Sequence, residues 1–120
     1  ADLAGKANAN SVYYVSGYST KTALSGKAND FIKAYKAKYG SEPNMFAALS
    51  YDSVYMIAKA AEGAKTSIDI ANNLAELKDF DGVTGKMTID KKHNPIKTAL
   101  MVIMKDGAEV SADPVEIKKN

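Results

Sequence analysis

From Ala99 to Met104 the chain is apolar without interruption, and no other stretch of its 120 residues limits the fold so tightly. Backbone N–H and C=O groups in such a run must find partners away from water, so it reads as a strand covered on both faces, as in a parallel sheet. Asp106-Gly107 follows at once and predicts a tight hairpin into Ala108-Glu109-Val110. A strand of this kind needs neighbours on both edges, and the usual sheet sizes leave only about three or four strands here to supply them. Either the chain belongs to something larger, or it completes its sheet with a second copy, as a swapped homodimer would.

The remaining elements follow from spacing. Ser11 to Ser16 is a β-branched and aromatic run between Asn10 and Gly17, the mark of a short strand. Leu24, Ala28, Phe31, Ile32, Tyr35 and Tyr39 then recur at helical spacing, with Gly40 as the stop. After Pro43 and Asn44, apolar residues fall on nearly every face from Met45 to Ala61, which predicts a helix buried on most sides. Thr66 with Asp69 three positions on is a capping signature for a third helix carrying Ile70, Leu74 and Leu77. Gly85 to Asp90 alternates as a half-buried strand does, and Lys91-Lys92-His93-Asn94-Pro95 is a turn. One strand, three helices and a set of C-terminal strands with a hairpin give an α/β or α+β class.

The residues offer little chemistry. Cysteine is absent, which removes disulfides, thiolate metal sites and a cysteine nucleophile together. All the basic residues are Lys and the net charge is only +2, so the forked guanidinium groups suited to phosphate and base recognition are missing and nucleic acid is not expected as a partner. The short clusters Lys91-Lys92 and Lys118-Lys119 read as solvated turns and ends. His93, the single histidine, stands in a turn with no second imidazole or carboxylate pair beside it. Asp79 and Asp81 flank Phe80 in a loop that does not hold them in mutual geometry. No catalytic residue, metal ligand or cofactor is expected, and the chain reads as no enzyme. What remains is aromatic: Tyr18 and Phe46, beside the breaks at Gly17 and Pro43, are candidates for a pocket wall, while Tyr35, Tyr39 and Tyr55 lie on helix stripes and read as packing residues.

Three segments carry a family resemblance. Phe31-Ile32-Lys33-Ala34-Tyr35-Lys36-Ala37-Lys38-Tyr39-Gly40, then Glu42-Pro43, then Phe46 to Tyr55 with its Tyr51-Asp52-Ser53, resembles the type I periplasmic binding proteins of branched-chain amino acid ABC transporters. Phe80 to Asp90 resembles the same family's F-x-G-x-T-G-x-x-x-F-D segment, with Ile89 at the aromatic position. Ala99 to Gly107 resembles its late strand and Asp-Gly hairpin.

The resemblance implies two Rossmann-like α/β lobes that close on a ligand between them, of which this chain supplies about the last third. Residues 1–17 and 95–120 would belong to one lobe and residues 18–94 to the other, with Gly17 and Pro95, Ile96 and Lys97 as hinge positions in two of the crossings. By the same resemblance Phe46 packs against the ligand's side chain and Tyr18 faces the cleft. The groups that hold an amino acid's carboxylate and ammonium have no match here, and a zwitterion leaving water needs paired charge that an aromatic wall does not provide. The implied function is capture of an amino acid outside the cytoplasm, in a periplasm or as a cell-surface lipoprotein, and its delivery to an ABC permease. The alternatives are a sensor domain or an amide or urea receptor of the same fold, and a small self-associating interaction domain.

Overall fold

A computed structural model describes residues 3–22 and 25–115. Leu24 of the first helical stripe, the Lys118-Lys119 pair and the end of the 95–120 segment lie outside the described residues. A short 3-10 turn, Lys6–Asn8, leads into β1 (Val12–Ser16), α1 (Gly26–Tyr39), α2 (Met45–Ala61) and α3 (Ser67–Ala75). Five strands follow: β2 (Phe80–Gly82), β3 (Gly85–Ile89), β4 (Pro95–Lys97), β5 (Ala99–Lys105) and β6 (Ala108–Val115). The mixed class expected from the sequence is what forms.

Local chemistry sets the helix ends. Gly40 closes α1 in the left-handed region at φ 73°, donating its N–H to Lys36 O at 2.9 Å, as a residue without Cβ does at no steric cost. Asn44 caps α2 by accepting from Ala47 N at 2.9 Å. At α3, Thr66 Oγ1 accepts from Asp69 N while Asp69 Oδ2 accepts from Thr66 N, a reciprocal capping box. The turn between β5 and β6 places Asp106 and Gly107 at φ 51° and 78°, both positive as a type I′ hairpin requires.

The strands make two separate three-stranded sheets, ordered β1-β5-β6 and β2-β3-β4. In the first, Val12 to Ser16 pair with Met104 to Leu100, and β5 pairs on its other edge with β6, with Val110 bulged out beside Met104. The expected neighbours on both edges of the apolar run are therefore present, but every pairing is antiparallel, which corrects the parallel reading. Its burial also differs: Leu100 and Val102 are fully buried with Ala112 and Tyr14 over one face, whereas Ala99, Met101 and Ile103 on the other face are only half-covered. A two-stranded antiparallel surround can leave one face open, and the side-chain period of two then divides the run. Pro114 sits in β6, an edge strand of this sheet, where its missing N–H is tolerated.

The helices pack over the second sheet around Tyr18, Phe31, Ala48 and Val83, with Ile32, Tyr35 and Met45 at the margin. Tilted ring pairs, Phe31 on Tyr51 at 4.7 Å and Tyr35 on Tyr39 at 4.5 Å, line the seam of α1 and α2. Here a second expectation fails. Only Ala48, Asp52 and Ala60 of α2 are buried, one narrow stripe, while Phe46, Val54, Tyr55 and Ile57 each expose half or more of their surface. Apolar residues all round a helix signal cover on all sides, and within this chain α1, α3 and the second sheet cover only one side. The radius of gyration, 16.6 Å, likewise exceeds the roughly 14 Å of a compact domain of this length.

The chain leaves the first sheet at Gly17, builds the helices and second sheet, and returns through Thr98 alone, between β4 and β5. These two passages position everything that follows.

Candidate functional site

At the first passage Ser16 folds the backbone on itself. Its hydroxyl donates to Tyr18 O at 2.7 Å and accepts from Tyr18 N at 3.2 Å, enclosing Gly17 in a turn held by a side chain rather than a ladder. Tyr18 then enters the core and Ser19 is buried beside it. Ser19 Oγ donates to Glu109 Oε2 at 2.7 Å, and Tyr14 OH donates to Glu109 Oε1 at 2.5 Å. One β6 carboxylate thus ties the strand before the passage and the loop after it to the first sheet.

These residues border a cavity of about 600 Å³ whose wall includes Tyr14, Tyr18, Ser19, Glu42, Met45 and Glu109. Asn44 and Met45 of that wall lead directly into Phe46 on the first turn of α2, where the ring is 72% exposed. Tyr18 and Phe46, the two aromatic candidates, have opposite surroundings: Tyr18 is 5% exposed and packed in the core, while Phe46 faces solvent. Among the described residues, the Tyr18 hydroxyl has no hydrogen-bond partner.

Burial pushes the Tyr18 phenol up to about 12, with the charges of Glu42, Asp52 and Glu109 adding to it. Tyr14 also rises to about 12, through burial first and then its hydrogen bond to Glu109 and that carboxylate's charge. A raised acid pKa means that the folded state holds its proton after the unfolded chain has released it. The associated stability is therefore complete below pH 10, the ordinary tyrosine value, and is lost as pH climbs from 10 to about 12. Thermal melts across that window should fall steeply in the native chain and less in Tyr14→Phe, which has no proton to lose; equal slopes would contradict the assignment.

The second passage holds a buried polar relay. Asp52, 2% exposed on the buried stripe of α2, accepts from Val83 N at 2.7 Å, Thr84 N at 2.9 Å and Thr84 Oγ1 at 2.7 Å. Thr84, fully buried in the turn between β2 and β3, accepts in turn from Lys97 Nζ at 2.7 Å. The same ammonium donates to Gly17 O at 2.9 Å. Burial lowers the Lys97 pKa from its ordinary value, and the Asp52 charge works against that lowering.

Of the four hinge candidates, Gly17 and Lys97 are thus in direct contact across 80 residues of sequence. Pro95 and Ile96 instead pair with Ile89 and Thr88 in β4, and Ile96 is exposed. The residues set aside as chemistry fall as follows. His93 occupies a left-handed turn at φ 64° closed by Asp90, whose carboxylate accepts from Lys92 N and Asn94 N. Asp81 pairs with Lys27 at 3.4 Å on the surface, and the Asp79 N–H donates to Thr88 Oγ1. Among the described residues, no three His, Asp or Glu side chains gather as a metal shell, and no helix is long and apolar enough to cross a membrane. Asp52 and Thr84 lie in the segments that carry the family resemblance, with no role assigned there, and Glu109 is not singled out by the sequence at all. A carboxylate four residues after Ala48 on the buried stripe was the available signal for Asp52; nothing local marks Glu109.

The model of a family described as periplasmic binding protein matches residues 1–109. No curated protein matches. A branched-chain amino acid transporter substrate-binding protein from Streptococcus pneumoniae, solved in complex with isoleucine, is 48% identical with a TM-score of 0.86, over 95% of this chain and 33% of its own. A leucine-binding protein from Thermotoga maritima is 30% identical with a TM-score of 0.76, over 91% of this chain and 31% of its own. An ABC transporter substrate-binding protein from Desulfitobacterium hafniense, in complex with Leu, is 25% identical with a TM-score of 0.77, over 91% and 32%. The chain spans about a third of the length of each.

Proposed function

The chain belongs to the periplasmic binding protein family, and from that premise we propose that it is the last third of a two-lobed receptor for branched-chain amino acids. The receptor works outside the cytoplasm and hands its solute to an ABC permease. It binds and releases without chemical change, as no enzyme does. Residues 1–17 and the strands after Thr98 contribute to one lobe and residues 18–97 to the other, with Gly17 and Thr98 as two of the crossings; Pro95, Ile96 and Lys97, expected as crossing residues, instead pair with β3 and end the second sheet beside the crossing.

The observation that carries this reading is Phe46. An aromatic ring 72% exposed at the start of a helix is costly to leave in water, and it adjoins the wall of a cavity at the passage between the two sheets. A branched aliphatic side chain laid against that ring would remove apolar surface from both. The isoleucine and leucine held by the Streptococcus and Desulfitobacterium relatives have side chains of that kind. Tyr18 contributes from within the core by supporting the cavity wall, a role its burial favours over direct contact.

Calorimetric titration of leucine, isoleucine and valine into the intact receptor, native and Phe46→Ala, tests the reading. Truncating an aromatic that covers an aliphatic ligand costs on the order of 1–2 kcal/mol, so affinity should fall about tenfold or somewhat more. An unchanged affinity in Phe46→Ala would remove the ring from the site, and no binding of any of the three by the native receptor would remove the solute class.

A further inference from the structure

We infer that Lys97 is the pin that joins the two passages, so that the two sheets turn relative to one another only as both passages bend together. A single ammonium reaches the main chain of the first passage at Gly17 O and the side chain of Thr84, while its own backbone ends β4 immediately before the second passage at Thr98. The bond to Gly17 falls on a carbonyl that continues from β1 into the Ser16 turn, so it fixes a peptide plane in the segment where the chain departs from the sheet.

The other end of the relay is held by several buried partners. Thr84 Oγ1 gives its one proton to Asp52 and accepts from Lys97, a directional chain of ammonium, hydroxyl and carboxylate. Asp52 is held by two further backbone N–H groups in a buried setting, and Gly82 beside it leaves no space for even a methyl group. Charge-assisted bonds at low dielectric are the strong ones, and breaking one leaves a half-buried cation short of a partner. Lys97 is therefore better placed to couple the passages than any ladder hydrogen bond, because among the described residues every strand pairing lies within one sheet. Its consequence for ligand closure rests on the two-lobed reading above. There Lys97 is a positioning residue: it touches no solute, and it restricts the path between open and closed forms.

The test is a pair of spin labels in the intact protein that carries this chain, at Lys86→Cys on β3 and Asp113→Cys on β6, both exposed. This chain adds no cysteine of its own. Distance distributions are measured without ligand and with isoleucine. The native pin should give a narrow distribution without ligand, at least twofold broader in Lys97→Met and restored towards the native width in Lys97→Arg. If Lys97→Met fails to fold, Lys97→Gln, one bond shorter and without the charge but still a hydrogen-bond donor, takes its place with the same expected broadening. A native width in whichever uncharged variant folds would overturn the pin. A shift of the mean distance with isoleucine is a separate readout: its absence with the width effect intact would count against the receptor reading and leave the pin standing.

Discussion

Replacing Asp52 by Ala should destabilise the fold by about 3–5 kcal/mol, the cost of removing one partner from a buried, hydrogen-bonded charge arrangement. The substitution leaves two backbone N–H groups, of Val83 and Thr84, and the Thr84 hydroxyl without their acceptor inside the core. Each buried donor left unpaired costs of the order of 1–3 kcal/mol by itself. It also strips Lys97 of the charge that opposes its desolvation. Set against a typical total of about 5–15 kcal/mol for a folded domain, such a loss should move the midpoint of urea unfolding far towards zero denaturant. Asp52→Asn keeps an acceptor of similar shape but turns an amide N–H₂ towards donors, so an intermediate loss is expected. A loss under about 1 kcal/mol in Asp52→Ala would mean that water replaces the carboxylate at little cost, and the relay would then hold nothing.

The second large effect is expected at Gly82→Ala. A Cβ at that position would lie 2.5 to 2.7 Å from the Asp52 carboxylate atoms, closer than real side-chain contacts come. The glycine is required by space and not by its backbone angle, since its φ is ordinary. The carboxylate cannot retreat without giving up its three hydrogen bonds, so the chain must distort, which costs about 1–3 kcal/mol. This outweighs the roughly 0.4–1 kcal/mol that a Gly→Ala change returns by stiffening the unfolded chain. The two sites share one contact and should not be additive. In an Asp52→Ala background the added methyl group fills the space that the carboxylate vacates, and the further loss from Gly82→Ala should nearly vanish. Equal losses in both backgrounds would show that the clash is not with Asp52.

Asp52 and Gly82 lie in segments that carry the family resemblance, yet their contact with each other is not legible in the residues, and the reason is distance along the chain. Gly40, Thr66 with Asp69, and Asp106-Gly107 act on neighbours within a few residues, so their caps and turn follow from the residues themselves. The bounds of α2, Met45 to Ala61, follow likewise from Asn44 at one end and Gly63 near the other. Asp52 finds its partners more than 30 residues away and Glu109 finds Tyr14 and Ser19 at 90 or more, and no local pattern encodes such pairs. The strands β2 and β4 have three residues each, too few for an alternation to register. The apolar run of β5 states that it is buried but not in which direction its neighbours lie, since parallel cover and an antiparallel surround use the same residues. Tyr18 illustrates the same limit in the site: its place beside Gly17 puts it at the passage, while only the packing of Phe31, Ala48 and Val83 decides that it turns inward.

The receptor account divides the labour of binding: this chain brings the aromatic wall at Phe46 and two hinged passages, and the rest of the receptor brings the groups that pair with the zwitterion. Calorimetric titration of isoleucine into the 120-residue chain alone, beside the intact receptor, tests that division most directly. The account predicts binding at micromolar affinity or tighter by the receptor and no measurable heat from the chain alone. Micromolar binding by the chain alone would contradict it, because the carboxylate and ammonium sites would then have to lie among these residues.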